Sequence, residues 1–128
     1  MRTLVREAVY KYIYSKLFNP YDEGLFDVLI KDFSQEDKDF GAKLKGLIVD
    51  NESEYLDKIS ELSIGYKINR IHMTDKCALL IGMVEFDYFK ETPKIVIIDE
   101  AVKLAAKYST DNSPDFVNGI LATYTSKE

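Results

Sequence analysis

Residues 93–121 read PKIVIIDEAVKLAAKYSTDNSPDFVNGIL, and this stretch decides the fold class. Ile95, Ile98, Val102 and Ala105 recur at helical spacing, although Ile95 to Ile98 taken alone also suits a strand. A polar elbow follows. Ser113 then reads as an N-cap with Pro114 at the first helical position, a strong start signal for another helix. That helix carries Phe116, Val117, Asn118 and Gly119 in succession. The stretch is therefore two short amphipathic helices joined by a turn.

The same pattern extends towards the N-terminus. Thr74 is placed to cap the most apolar segment, Cys77 to Val84, which suits a central buried helix. Ala78 and Gly82 would let a neighbour approach it closely. Earlier still, Val5, Ala8, Val9, Tyr12, Ile13 and Leu17 space as a helix that Asn19-Pro20 stops. A short helix is predicted from Gly24 to Phe33. Ser34 with Asp37 three residues on forms a variant capping box for a third, bearing Phe40, Leu44, Leu47 and Ile48. Asn51 caps a fourth, with Tyr55, Leu56, Ile59 and Leu62, and a polar stretch around residues 65–69 divides the halves. The expectation is an all-α bundle of about seven helices, a single domain over residues 1–128.

Composition excludes several classes. With 128 residues the chain is long enough for one substantial core. It has no apolar run of transmembrane length and no apolar signal core, since Arg2, Arg6 and Lys11 interrupt the N-terminus. The single Cys77 has no disulfide partner and reads as a buried small hydrophobe in a reducing cytoplasm. A net charge of −5 argues against non-specific nucleic-acid binding. The charge is uneven, however. Residues 1–17 hold four cations against Glu7 alone, while residues 18–60 hold five lysines against eleven acids. A small basic end on an acidic body can contact a few phosphates.

Catalysis finds little support. His72 is the only histidine and Cys77 the only cysteine, too few for a zinc site. Phosphate-binding loops and nucleophile elbows are lacking. Asp99-Glu100 reads as the acidic opening of a helix, where negative charge meets the positive dipole end. What remains is a binding surface. Tyr10, Tyr12 and Tyr14 are spread around the basic first helix, so at least one ring points outward, where it can stack on single-stranded bases.

Set side by side, these motifs resemble the NusB family, the bacterial RNA-binding transcription antitermination factors. Arg2, Arg6-Glu7-Ala8 and Ile13-Tyr14 match its N-terminal pattern. Asn69-Arg70-Ile71 and Asp75-Lys76 match the entry to its central helix, and Glu85 falls where the family has a Tyr-Glu pair. Pro93, Asp99-Glu100-Ala101, Tyr108, Asn112-Ser113 and Phe116 to Gly119 match its C-terminal signature, the most specific part. Two departures stand out. Thr3, Leu4 and Val5 replace basic residues, and Leu80 replaces a base in the central helix.

The resemblance implies an all-helical fold of two packed sub-bundles, without catalysis or cofactor. It implies binding of boxA-type single-stranded RNA jointly with the small ribosomal subunit protein NusE. The complex would join the RNA polymerase antitermination assembly, notably in ribosomal RNA synthesis. On this reading Arg2, Arg6, Asn112 and Ser113 hold phosphates, Tyr14 and Phe116 offer rings to bases, and Asp75 and Lys76 face NusE. Phe116 reads equally as core. Two alternatives share the fold. One is a protein–protein scaffold with weak RNA affinity, which the thin basic cluster favours. The other is the RNA-binding domain of a ribosomal RNA methyltransferase, which the lack of a catalytic domain after Glu128 disfavours.

Overall fold

A computed structural model of the chain describes residues 2–64 and 71–126. It contains six α-helices: α1 (Arg2–Tyr14), α2 (Glu23–Ile30), α3 (Gln35–Ile64), α4 (Met73–Tyr88), α5 (Lys94–Tyr108) and α6 (Ser113–Thr125). A short 3-10 turn, Ser15–Leu17, extends α1. The described residues include no strand, so Ile95 to Ile98 belong to a helix. The polar stretch at 65–69, and the Asn69-Arg70 match, lie outside the described residues.

The seven expected helices become six because α3 carries two of them. Asn51 leaves helical geometry at φ −120° and ψ 15°, and the helix kinks there. Its side-chain amide donates to the Leu47 carbonyl at 2.8 Å, capping the first half from behind instead of opening the second. The Ser34 hydroxyl does cap α3, accepting from the Asp37 amide at 3.2 Å. Asp22 caps α2 in the same way, through Gly24.

α4 is the axis of the bundle. Every residue from Cys77 to Glu85 is buried, including Leu79 and Ile81. It packs against α1, α3, α5 and α6, so no face is left for water. One sub-bundle is α1, α2 and α3; the other is α4, α5 and α6, and α4 joins them through α1 and α3. At Gly82, α4 takes a side chain of α6 against its backbone. A Cβ there would lie 2.8 Å from Leu121 Cδ1, inside any normal contact. Leu80, which stands where a base was expected, is wholly buried and packs instead of reaching solvent.

Thr74 is not the cap of α4. The helix begins at Met73 after His72, and the Thr74 hydroxyl turns to Ser109 on α5's far end, 2.7 Å away. Asp99 and Glu100 likewise lie within α5, not at its start, which is Lys94.

Candidate functional site

Glu100 lies on the buried stripe of α5, between Ile97 and Leu104. A carboxylate there needs a buried cation, and Arg6 supplies it. Arg6 Nε and Nη2 donate to Glu85 Oε1 and Oε2 at 2.8 and 2.5 Å, a bidentate fork. Nη1 reaches Glu100 Oε1 at 3.2 Å. Burial opposes the guanidinium charge, but the bonds and charges of Glu85 and Glu100 outweigh it and hold its pKa above the ordinary value. Arg6 is 4% exposed. It is therefore not a phosphate ligand but an ion-paired strut linking α1, α4 and α5.

Arg2, one turn earlier, is partly exposed, with its guanidinium 4.2 Å from the Phe40 ring and 3.9 Å from Glu91. It stands at the opposite end of α1 from Tyr14, about 18 Å away at helical rise. The first turn of α1 thus faces α3 and the end of α4, not the start of α6.

It is the last turn of α1 that meets the end of α5 and the start of α4. Tyr10, Lys11 and Tyr14 line a cleft of about 340 Å³ with Thr74 and Tyr108. Tyr10 stacks on Tyr108 at 5.0 Å and donates its hydroxyl to the Thr74 carbonyl at 2.9 Å. Tyr10 and Tyr12 are buried, whereas Tyr14 is half-buried with its ring on the cleft. A second cleft of about 190 Å³ lies beside it, lined by Ile71, His72, Asp75, Asn112, Ser113 and Phe116, with Thr110 at its edge. Adjacent residues of α4, Thr74 and Asp75, separate the two. Tyr14, Asn112 and Phe116 therefore share one end of the molecule; Arg2 does not.

A directed chain of hydroxyls holds this end together. Ser109 Oγ donates to Asp75 Oδ1 at 2.6 Å. A hydroxyl has one proton, so the two others touching Ser109 must be donors to it. These are Thr74 Oγ1 at 2.7 Å and Ser113 Oγ at 2.9 Å. Ser113 in turn accepts from the Thr110 amide at 3.1 Å, and Thr110 Oγ1 lies 2.8 Å away as the remaining donor. All these protons point towards the Asp75 carboxylate.

Two expectations are corrected here. Ser113 is the first residue of α6, not its cap; it is 1% exposed and its hydroxyl is saturated, so it positions the elbow instead of holding phosphate. Asp75 is 5% exposed and serves as the buried acceptor of the chain, not as a rim charge. Lys76 beside it is half-buried. Asn112 is the residue before α6, exposed, with no side-chain capping bond. Asp115 already occupies the first turn of α6, which weakens that helix start as a phosphate site. Phe116 is half-buried on the second cleft.

Sequence reasoning missed Lys11 and His72 and the role of Tyr108. Tyr108 donates to Glu7 at 2.6 Å, and Lys107 bonds the same carboxylate oxygen. The bond from Lys107, then that from Tyr108, hold the Glu7 carboxyl below the usual carboxylate range. Burial pushes the Cys77 thiol up to about 12, which makes it inert.

The chain matches the NusB family over residues 1–126. The chain belongs to the NusB family. A transcription antitermination protein NusB of Methylacidiphilum infernorum (isolate V4) is 34% identical over 125 residues, spanning 94% of this chain and 87% of that protein. That of Streptomyces griseus subsp. griseus is 41% identical over 81 residues, 60% of this chain and 57% of that protein. T. maritima NusB superposes with a TM-score of 0.91 at 28% identity, covering all of this chain and 92% of that one. A crystal structure described as antitermination factors NusB and NusE in complex with dsRNA has a TM-score of 0.84 at 21% identity, covering 99% of this chain and 97% of that one. At that identity the likeness concerns the fold. NusB proteins are transcription antitermination factors and not enzymes, and so is this member of the family. No described helix is long and apolar enough to cross a membrane.

Proposed function

We propose that this NusB-family chain, acting in the cytoplasm as one RNA-binding domain, binds boxA-type single-stranded RNA together with NusE. The complex then loads onto RNA polymerase and suppresses termination, notably during ribosomal RNA transcription. The observation that carries this reading is that the start of α4 packs against the last turn of α1 on one side and the α5–α6 elbow on the other. It places Tyr14 and Phe116 in neighbouring clefts braced by one hydroxyl chain. Aromatic rings beside a lysine suit unstacked bases next to a phosphate. Lys11 is exposed at this end, and Asn112 offers an uncommitted amide. NusE docks beside the start of α4, with Lys76 at the surface and Asp75 as the acceptor beneath it. A structural neighbour described in complex with NusE and dsRNA supports an RNA and NusE role for this fold, and the single-strand preference rests on the exposed rings.

The test is a titration of labelled boxA-type RNA with and without NusE, at two salt concentrations. Tyr14→Ala and Phe116→Ala should each weaken binding by ~1–3 kcal/mol with the salt slope retained. Lys11→Ala should lower that slope by ~0.7. Unchanged binding in all three, with NusE present, would refute the site. NusE binding that survives while RNA binding is absent in the parent would establish the scaffold instead.

A further inference from the structure

Phe18 is 71% exposed, and Leu17 beside it is 51% exposed. Single exposed apolar residues are ordinary. Phe18 differs in being ordered against another ring. It meets Tyr14 edge-on, with centroids 5.8 Å apart and planes 66° apart. Tyr14 is the outer wall of the first cleft. Tyr10, Tyr14 and Phe18 follow one another at four-residue intervals, one stripe along α1 and the turn that extends it. Exposure rises along the stripe: Tyr10 is buried, Tyr14 half-buried and Phe18 open.

From these features we infer that Phe18 is a further base platform, extending the RNA track beyond the two clefts by one nucleotide. The inference rests on the RNA-binding reading proposed above. Three observations support it. First, the 66° between planes prevents one base from stacking on both rings, so Tyr14 and Phe18 present separate faces. Second, Phe18 is 71% exposed, so the ring surface that Tyr14 does not cover is open to a base. Third, an exposed cation lies on the same helix. Lys11 is exposed one turn before Tyr14, and Lys16 lies beside Phe18 in sequence, its amine 3.3 Å from Glu52 and 5.2 Å from the Tyr21 ring centroid. Glu52 is thereby neutralised, and Tyr21 also donates to it at 2.7 Å. A phosphate passing this stripe meets the exposed Lys11, with the Lys16–Glu52 pair adding no net charge.

The occupant this commits to is a single-stranded nucleobase, not a protein side chain. The chain contains no tryptophan, so Phe18→Trp supplies a spectroscopic reporter that is unique in the molecule. The full chain is mixed with NusE and titrated with boxA-type single-stranded RNA, with an oligouridylate of the same length, and with the corresponding duplex. Phe18→Ala and Phe18→Leu should each weaken single-strand binding roughly tenfold or more, without altering the salt slope or the thermal melt. Phe18→Trp should retain affinity, and its emission should be quenched by the single strands but not by the duplex. If Phe18→Leu binds as the parent does, the ring is not a platform. Loss of NusE affinity with RNA affinity unchanged would give the surface to protein. A lowered melt in Phe18→Ala would give the ring to packing. Any of these overturns the inference while Tyr14→Ala still reports on the wider site. A parent that fails to bind RNA with NusE present overturns both readings.

Discussion

Removing Arg6 should unfold this protein more readily, not merely weaken its grip on RNA. In Arg6→Met the guanidinium fork vanishes while most of the apolar stem remains. Glu100 keeps a partner, because Lys103 Nζ lies 3.3 Å from Glu100 Oε2. Glu85 does not: its side chain is 1% exposed, and among the described residues its ion pair is with Arg6. A buried charge stripped of its partner costs ~3–5 kcal/mol. A domain of this size has roughly 5–15 kcal/mol in total, so about a fifth or more of its stability is at stake. Urea unfolding followed by far-ultraviolet circular dichroism measures the loss directly, as a lower midpoint at constant slope. Glu85→Gln added to Arg6→Met should recover part of the loss, because it removes the stranded charge, and the recovery is the coupling between the two residues. A loss below ~1 kcal/mol, with the RNA salt slope falling by ~0.7, would refute this reasoning and return Arg6 to the phosphates.

Leu79→Ala should cost ~2–5 kcal/mol, since Leu79 is fully buried at the centre of α4; a loss well below 1 kcal/mol by urea unfolding would contradict that placement. Asp75→Ala should cost ~1–3 kcal/mol by stranding the hydroxyl of Ser109, whereas Lys76→Glu should stay within about 0.5 kcal/mol and instead slow association with NusE, measured by surface plasmon resonance. Glu7→Gln tests the carboxyl whose pKa is depressed in the fold. A depressed carboxyl stabilises fully above its unfolded pKa of about 4.3, and the contribution fades as pH falls through the folded value. Parent and Glu7→Gln should therefore differ at neutral pH and converge in acid unfolding; a gap that widens on acidification would reverse the assignment.

The parts of the fold that were legible in the sequence are those set by local chemistry. An apolar run on every face from Cys77 to Val84 has only one stable place, and it lies at the centre. Asn51 marked a helix boundary correctly, because a short amide side chain competes for backbone carbonyls; the kink is its local solution. Arg6 was misread because its partners are 79 and 94 residues away. The available sign lay in those partners. Glu100 sits on a stripe with Ile97, Ala101 and Leu104, and Glu85 closes an apolar run, so each carboxylate demanded a buried cation. Ser113 and Asp75 failed similarly. Their residue types suit caps and rims, and only the meeting of α4 with the α5–α6 elbow turns them inward.

With Arg6 committed to carboxylates and Arg2 at the far end of α1, the cationic side chains at the Tyr14–Phe116 end are, among the described residues, Lys11, Lys16, Lys76 and the Glu7-bonded Lys107. Lys16 already bonds Glu52. Each phosphate contact to a single strand contributes only ~0.7 to the salt slope, so on the proposed reading electrostatics supply a small share of the affinity. The acidic remainder of the chain opposes any anion at longer range. Rings must then carry the recognition, and rings read unstacked bases without neutralising the backbone. A second protein that brings its own cations would complete what this surface lacks. On the proposed reading the described clefts would offer the aromatic half of an RNA site, and a ribosomal protein bound beside them would supply the phosphate half.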